Sequence, residues 1–350
     1  MFVDLLLLAI AALFALVHPS LSFLDGRYAN GFYPALQTVV TAWTNRVPFS
    51  VADCILVLVL LVLIAMWIRA LRASRRPATL LRLVLRTAAV IAVIYIWFLV
   101  DWGWNYVRPS LAATLDYRAT ALNRTQLASV ELRLVTALNA AAVRAHRQHD
   151  QNADISAPLF DAQRNTLELI DVRHPVVRTV PKHTLFDPYF VATGVSGMFV
   201  PFTYETYLAS DLLWFEYPFT LEHEWGHVAG IARESDANFI AAIATLNSSD
   251  AVLHYSGLLI VYAAFPRIAH ADAKLSPLVL EDYAAMRRRD QQYIKPPAFK
   301  LAWGTYDKYL KAQHVTSGVV NYSEYVGLLL GTSAGHDALA HATGGSVRLP

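Results

Sequence analysis

The stretch VADCILVLVLLVLIAMWI, residues 51–68, carries no charge after Asp53 and is apolar on every side of a helix. A second stretch of this kind runs from Thr87 to about Tyr106, with Asp101 near its end. About 20 apolar residues span a bilayer as a helix, and a helix without a polar face must be buried in lipid or in a protein core. A pair of buried core helices is the alternative, but the all-round apolar pattern favours two transmembrane helices.

The composition agrees with a membrane protein. Of the 350 residues, 55% are hydrophobic and 16% are charged, whereas a soluble domain has about 25% charged residues. This balance excludes a disordered chain and disfavours a soluble enzyme. The single cysteine, Cys54, excludes an intramolecular disulfide and an all-cysteine zinc site. A formal net charge of +2 gives no electrostatic footprint for nucleic acid, so the expected partners are a lipid bilayer and no nucleic acid.

The arginines predict how the chain is oriented. The segment between the two apolar stretches contains no acidic residue and six arginines, namely Arg69, Arg72, Arg75, Arg76, Arg82 and Arg86. Short loops rich in arginine face the cytoplasm. We therefore expect the chain after Trp104 to lie outside the cytoplasm, and residues 1–104 to form the membrane domain.

An earlier apolar stretch, Leu5 to Val17, has two interpretations. It could be the core of a signal peptide, with Ser20-Leu21-Ser22 as the cleavage site. The residues before it carry no positive charge, which a signal peptide normally has. We therefore favour a retained span, which gives the membrane domain two or three transmembrane helices.

Residues 105–332 have the composition of a globular domain with a mainly helical pattern. Helical periodicity is present at 112–149, 218–230, 236–247, 251–265, 277–290, 300–313 and 322–331. One strand-like patch, rich in Val, Phe, Tyr and Thr, extends from Thr179 to Tyr207. Residues 333–350, rich in Gly, Ser, Ala and His, are expected to form a mobile tail.

The segment TLEHEWGHVAG, residues 220–230, contains the pattern HExxH. His223 and His227 are four residues apart, so both imidazoles project from one face of a helix and can share a metal ion. Glu224 lies beside them as a general base. Pro218 suits the first helical turn, and Gly230 suits a left-handed residue that ends the helix. The alternative is a metal-free helix whose histidines bond to their neighbours.

A catalytic zinc site uses three protein ligands, so a third ligand is needed. Glu234 follows His227 by seven residues, and a turn at Gly230 can bring it back over the helix. Asp236 is a competing ligand, and both acids could instead stabilise the start of a helix electrostatically. Asn238, one turn after Glu234, could hold a histidine ring nitrogen.

Several segments resemble a bacterial family known as domain of unknown function 3810. They are Arg46–Asp53, Trp102–Pro109, Ser196-Gly197, Pro201–Thr203, Pro218–Thr220, His223-Glu224, His227, Gly230, Ala232–Glu234, Ala237–Phe239, Tyr306-Asp307, Tyr309-Leu310 and Tyr322. The stretch around HExxH is the most specific of these. The resemblance implies a mainly α protein of the bacterial cytoplasmic (inner) membrane, in which transmembrane helices precede a zincin-like α+β extracytoplasmic domain at 105–332. This sequence differs from the family pattern at Asp236, where Glu is common.

The expected function is a membrane-anchored zinc metallopeptidase that hydrolyses a peptide or protein outside the cytoplasm. His223, His227 and Glu234 would bind Zn²⁺, and Glu224 would move the proton. Tyr204, Tyr322 and His314 are candidates for stabilising the oxyanion. The alternative is an inactive relative that binds a peptide or a partner. An intramembrane protease is disfavoured because residues 220–236 are too polar to cross a bilayer. A transporter is disfavoured because no charge lies in the middle of a span.

Overall fold

In the computed structural model of the chain, residues 1–17, 19–74, 76–119, 123–151, 153–172, 174–313, 315, 317–318 and 321–345 are described, with the backbone only for 321–323. This part of the chain is mainly helical. The α-helices are α1 (Phe2–Leu16), α2 (Leu21–Phe23), α3 (Tyr33–Thr44), α4 (Val51–Ala73), α5 (Pro77–Asp101), α6 (Leu111–Thr114), α7 (Arg124–Gln148), α8 (Ser156–Leu169), α9 (Asp187–Thr193), α10 (Tyr217–Val228), α11 (Glu234–Leu246), α12 (Ala251–Ala264), α13 (Pro277–Tyr293), α14 (Pro296–Ala312), α15 (Asn321–Gly331) and α16 (Ser333–Thr343). Residues Leu24–Phe32 form a π-helix, Gly103–Val107 and Ala271–Lys274 form 3₁₀ turns, and the strands are β1 (Gly197–Val200) and β2 (Glu205–Leu208).

Helices α4 and α5 correspond to the two apolar stretches of the sequence, but α5 begins at Pro77, before the predicted Thr87, and ends at Asp101, before the predicted Tyr106. They have 23 and 25 residues, and both are long and apolar enough to cross a membrane. Helix α4 begins where the Ser50 hydroxyl accepts a hydrogen bond from the Asp53 backbone N–H, and α5 begins at Pro77, which suits the first helical position. Most side chains of α4 are exposed on the protein surface. A long apolar helix with an exposed surface indicates a membrane protein.

Helix α1 is shorter, at 15 residues, and it packs along α5. Near the end of α1, the ring of Phe14 stacks on Trp104 with a centroid distance of 6.0 Å. The C-terminal end of α1 therefore lies beside the C-terminal end of α5. Whether α1 itself spans the membrane, as a retained segment, stays a prediction.

Helix α11 is the centre of the globular part of the chain. All of its residues are buried. Helices α8, α10, α12, α15 and α16 contact it directly, and α7 packs against α12 and α16. Phe239, Ile240 and Leu246 of α11 are fully buried in the main apolar core. An all-round apolar helix is stable only when neighbours cover every side of it, which is why this helix lies inside the bundle.

A second apolar cluster joins the N-terminal region to the globular part. It contains Tyr28, Tyr33 and Trp102 from the N-terminal region, together with Leu221 and Trp225 of α10. The Tyr33 hydroxyl also donates hydrogen bonds to backbone carbonyls at the end of α10. Helix α10 is therefore held against the segment before α4 and against the residue that follows α5.

The prediction of a strand-like patch over residues 179–207 is wrong for most of that range. Strands occupy only β1 and β2, which pair antiparallel with Val200 opposite Glu205. Between Thr179 and β1 the chain forms helix α9, which has Pro188 in its first turn and ends at Gly194 with a φ of +66°. Proline at the helix start and glycine at its end outweigh the strand preference of the neighbouring residues.

The predicted mobile tail is wrong for residues 333–343, which form helix α16. The Thr332 hydroxyl accepts a hydrogen bond from the Gly335 N–H and so caps the helix start. Ala338 and Leu339 are fully buried in the main core. The small residues that suggested mobility allow α16 to pack closely, because a Cβ at Gly335 would lie 2.4 Å from the Leu329 carbonyl oxygen.

Candidate metal centre

Helix α10 and the turn after it place two histidines and a glutamate together. Gly230 has a φ of +90°, a left-handed conformation that glycine adopts without strain. The turn lets α11 fold back against α10, where a Cβ at Gly226 would be in ordinary contact with Ala237 at 3.5 Å. Both features follow from the glycines of the HExxH segment, and the predicted helix end at Gly230 is confirmed.

The three predicted ligands converge. Nε2 of His223 lies 3.1 Å from Oε2 of Glu234, and Nε2 of His227 lies 3.5 Å from the same oxygen. All three candidate ligand atoms are buried and lie within 4.8 Å of one another. Asp236 does not join them, since its carboxylate accepts a hydrogen bond from the Leu111 N–H at 3.0 Å.

The hydrogen bonds of the two rings determine which nitrogen is available to a metal. Nδ1 of His227 is 2.7 Å from the Ile231 carbonyl oxygen, which can only accept, so Nδ1 carries the proton. Nδ1 of His223 is 2.7 Å from Oδ1 of Asn238, as the sequence predicted for Asn238. In the neutral rings both Nε2 atoms then present lone pairs toward Glu234.

Two imidazoles and one carboxylate face one point, where they can share a cation, either a proton or a metal ion. Oε2 of Glu234 accepts no hydrogen bond from the described residues. Although burial lowers the pKa of His227, the nearby Glu234 carboxylate raises it to about 9. Burial alone raises the pKa of Glu234, but His227 and His223 hold it well below its usual value. Two imidazoles and one carboxylate are the donor set of a catalytic zinc site, so the residues fit that metal.

Glu224 lies beside this cluster on the side of strand β1. Its carboxyl group accepts a hydrogen bond from the Phe199 N–H, and burial raises its pKa while His223 and His227 oppose the rise. A Cβ at Gly197 would lie 2.6 Å from Oε1 of Glu224. Strand β1 therefore positions the carboxyl group of Glu224 at the edge of the site.

The structure adds one residue that motif reasoning missed. The Tyr306 hydroxyl, on α14, donates a hydrogen bond to Oε1 of Glu234. Tyr306 belongs to one of the short segments of family resemblance, but no spacing rule connects α14 to the HExxH segment. Of the oxyanion candidates, Tyr204 donates to Asp101 at 2.7 Å and does not line the site. The side chains of Tyr322 and His314 lie outside the described residues.

The cluster lies in a cleft of about 610 Å³. Strand β1 and helix α14 form two of its walls, and Phe98 and Trp102 from the end of α5 contribute to another. The edge of the Trp102 ring contacts His227 at a centroid distance of 6.0 Å. A polar site in a mostly apolar cleft is the usual form of a binding site for a small molecule or peptide.

These features define a membrane protein with a buried His–His–Glu cluster in an open cleft. The model of the family described as "Protein of unknown function (DUF3810)" matches residues 28–330, and the chain belongs to that family. Comparison with curated proteins finds no match, and comparison with solved structures finds none either. Family membership accounts for the shared segments and assigns no activity.

Proposed function

We propose that this protein is a zinc-dependent metallopeptidase of the bacterial inner membrane, with its globular part outside the cytoplasm. The observation that carries the proposal is the convergence of His223, His227 and Glu234 beside Glu224 in one cleft. The arginines near the end of α4 and in the first turns of α5 support the orientation.

The residues divide the chemistry between them. His223, His227 and Glu234 would hold Zn²⁺, which supplies a Lewis acid that polarises a peptide carbonyl and makes water more acidic. Glu224 accepts the proton of the attacking water and delivers it to the leaving amine. Burial favours this carboxyl group as a proton carrier, because it raises the pKa.

The developing negative charge on the peptide oxygen needs a hydrogen-bond donor. The Tyr306 hydroxyl is in the cleft and already points at the cluster through Glu234. A rotation of this side chain would direct its proton to the substrate oxygen. We assign this role to Tyr306, since Tyr204 does not line the cleft, while Tyr322 and His314 stay predictions.

Strand β1 supports binding of an extended peptide. It pairs with β2 along one edge, and Gly197, Met198 and Phe199 line the cleft along the other. A peptide can add to such an edge as a further strand through its backbone hydrogen bonds. A peptide bound in this way would lie against Glu224, which contacts both Gly197 and Phe199.

Metal analysis and a cleavage assay test the proposal. Purified protein should bind about one zinc ion, and His223→Ala should remove it. Glu224→Gln should keep the zinc and abolish cleavage of a peptide library. Absence of zinc in the wild type, or unchanged zinc in His223→Ala, would reject the site. If the wild type binds zinc but cleaves no more peptide than Glu224→Gln, the protein is the inactive binding relative instead.

A further inference from the structure

The cleft that contains the His–His–Glu cluster is built partly from a membrane helix. Phe98 lies one turn before the end of α5, and its ring contacts Phe202 and Tyr309 at centroid distances of 6.2 and 6.4 Å. Trp102, directly after α5, contacts the ring of His227. Because a helix rises about 1.5 Å per residue, Phe98 is only about 5 Å below the helix end. The cleft therefore begins where the span ends.

The other apolar helix is tied to the same wall. The N–H groups of Val51 and Ala52, at the start of α4, donate to the carboxylate of Glu205 on β2. Asp53 accepts hydrogen bonds from the Leu185 N–H at 2.8 Å and from the Thr184 hydroxyl at 3.0 Å. The start of α4 and the end of α5 thus both lie against the hairpin of β1 and β2, and α4 also contacts the segment before α9. These contacts fix the position of the cleft relative to the ends of the two spans.

Large apolar side chains are exposed around this opening. Among the described residues after 104, thirteen large apolar side chains are exposed, and nine of them lie in 180–202 and 293–301. We call these nine the apolar rim, whose members include Leu185, Phe186, Tyr189, Phe202, Phe299 and Leu301. The two segments adjoin, since the Lys295 N–H donates to the Ala192 carbonyl at 2.9 Å. Such a concentration of exposed apolar groups marks an interaction surface.

Helix α3 continues the apolar rim on the side of α4. Val39 and Trp43 on its outer face are exposed, whereas Gln37 and Thr41 on its inner face are buried. The end of α3 is joined to the rim segment through Asn45, which exchanges hydrogen bonds with the backbone of residues 178 and 180. An exposed tryptophan beside the end of a span is typical of the membrane–water interface.

We infer that the apolar rim lies in the outer interfacial layer of the bilayer, so that the cleft takes a peptide segment anchored in the same membrane. This inference rests on the proposed peptidase function and names its substrate class as the membrane-proximal segment of a membrane-anchored polypeptide. A free peptide would have to enter between the rim and the lipid headgroups.

Labels on the apolar rim test its position without any activity. Cys54 is the single cysteine, so Cys54→Ala provides a background for Leu185→Cys and Leu301→Cys. Val143→Cys on α7 is the matched control, because Val143 is also apolar and exposed but lies outside the rim. Each protein is spin-labelled in vesicles of phosphatidylethanolamine and phosphatidylglycerol. We expect the two rim labels to collide with oxygen more than with a water-soluble nickel complex, and the control label to do the reverse. Rim labels that behave like the control overturn the inference.

A cleavage assay then tests the substrate class. The same peptide library is presented either free in solution or coupled to a lipid in the vesicles, with Glu224→Gln as the blank. We expect the lipid-coupled library to be cleaved about tenfold faster or more, since anchoring raises the local concentration. We also expect Leu185→Asn to slow cleavage of the coupled library more than that of the free one, because local concentration alone does not depend on the rim.

The outcomes separate the two proposals. Equal cleavage of both libraries, or an equal effect of Leu185→Asn on both, overturns the anchored substrate and leaves the peptidase intact. If the wild type cleaves neither library, the peptidase proposal fails and the anchored substrate fails with it, whereas the spin-label result still decides the position of the apolar rim.

Discussion

Gly197 on strand β1 lies directly against Glu224 on helix α10, so that a Cβ at this glycine would be 2.6 Å from Oε1 of the carboxyl group and 3.0 Å from its Cγ. No positive φ makes glycine necessary at this position. The close approach to Glu224 makes it necessary, because the carboxyl group is buried and the added methyl group must displace it. Strand β1 and the Glu224 side chain are therefore in direct contact.

Gly197→Ala should impair catalysis while keeping the metal. The displaced carboxyl group of Glu224 would no longer reach the attacking water, and a misplacement of about 1 Å costs roughly 100-fold in rate. Zinc content should not change, since the three atoms nearest an added Cβ all belong to Glu224 and not to a ligand. Gly304→Ala on α14 is the control, because nothing lies within 4 Å of its added Cβ. Equal peptidase rates for both variants would show that Glu224 does not depend on this contact.

Glu234 and Asp236 should behave differently although both are buried acids at the start of α11. Glu234→Gln removes a ligand charge and should lose zinc, measured by metal analysis of the purified protein. Asp236→Asn should keep zinc, because Asp236 contacts the Leu111 N–H, but should lower the melting temperature through a weaker hydrogen bond worth about 1 kcal/mol. Loss of zinc in Asp236→Asn together with retention in Glu234→Gln would reverse the assignment.

The sequence predicted the local part of this site and missed the distant part. His223 and His227 are related by helical periodicity on α10. Gly230 marks the turn after α10, and Glu234 and Asn238 lie in the first turns of the next helix, α11. Each of these relationships depends on short spacing along the chain, which sequence patterns report well.

Tyr306 and Gly197 lie in segments of family resemblance, but no spacing pattern connects them to HExxH, because tertiary packing alone brings them to the site. Tyr306 is 72 residues from Glu234, its hydrogen-bond partner. The strand prediction over 179–207 failed for a related reason, because its apolar and aromatic residues serve partly as the exposed rim near the spans instead of as a sheet. The sequence shows that these residues are apolar, but it does not show whether they pack in a sheet or lie exposed on the surface.

Tyr306→Phe should separate substrate activation from metal binding. The lost hydroxyl should lower kcat by about 100-fold, the usual loss for one oxyanion donor, with KM and zinc content nearly unchanged. Steady-state kinetics on a cleaved peptide provide the measurement. Tyr309→Phe is the matched control, since Tyr309 stacks on Tyr306 at 5.7 Å but donates only a long hydrogen bond to Tyr106. A similar loss of kcat in both variants would show that the effect comes from the packing of the two rings. A change confined to zinc content would show that Tyr306 only positions Glu234 as a ligand.

Glu205→Gln should destabilise the junction between the membrane helices and the hairpin. The Glu205 carboxylate pairs with the buried Lys182 ammonium at 2.6 Å and accepts from the N–H groups that begin α4. Burial raises the pKa of Glu205, but these partners outweigh burial and hold it below the usual value of 4.5. Removing one partner of a buried pair costs about 3–5 kcal/mol, so the variant should unfold at a clearly lower temperature at pH 7.

The pH dependence of that difference has a definite sign. A carboxyl group whose pKa is lowered by folding stabilises the protein above its usual pKa, and this contribution is lost as the pH falls through the lowered pKa. The gap in melting temperature between wild type and Glu205→Gln should therefore narrow as the pH falls below about 4. Asp161→Asn, in an exposed pair with Arg164, should change stability little at any pH. A gap that stayed constant down to pH 3 would mean that the Glu205 charge does not stabilise the junction.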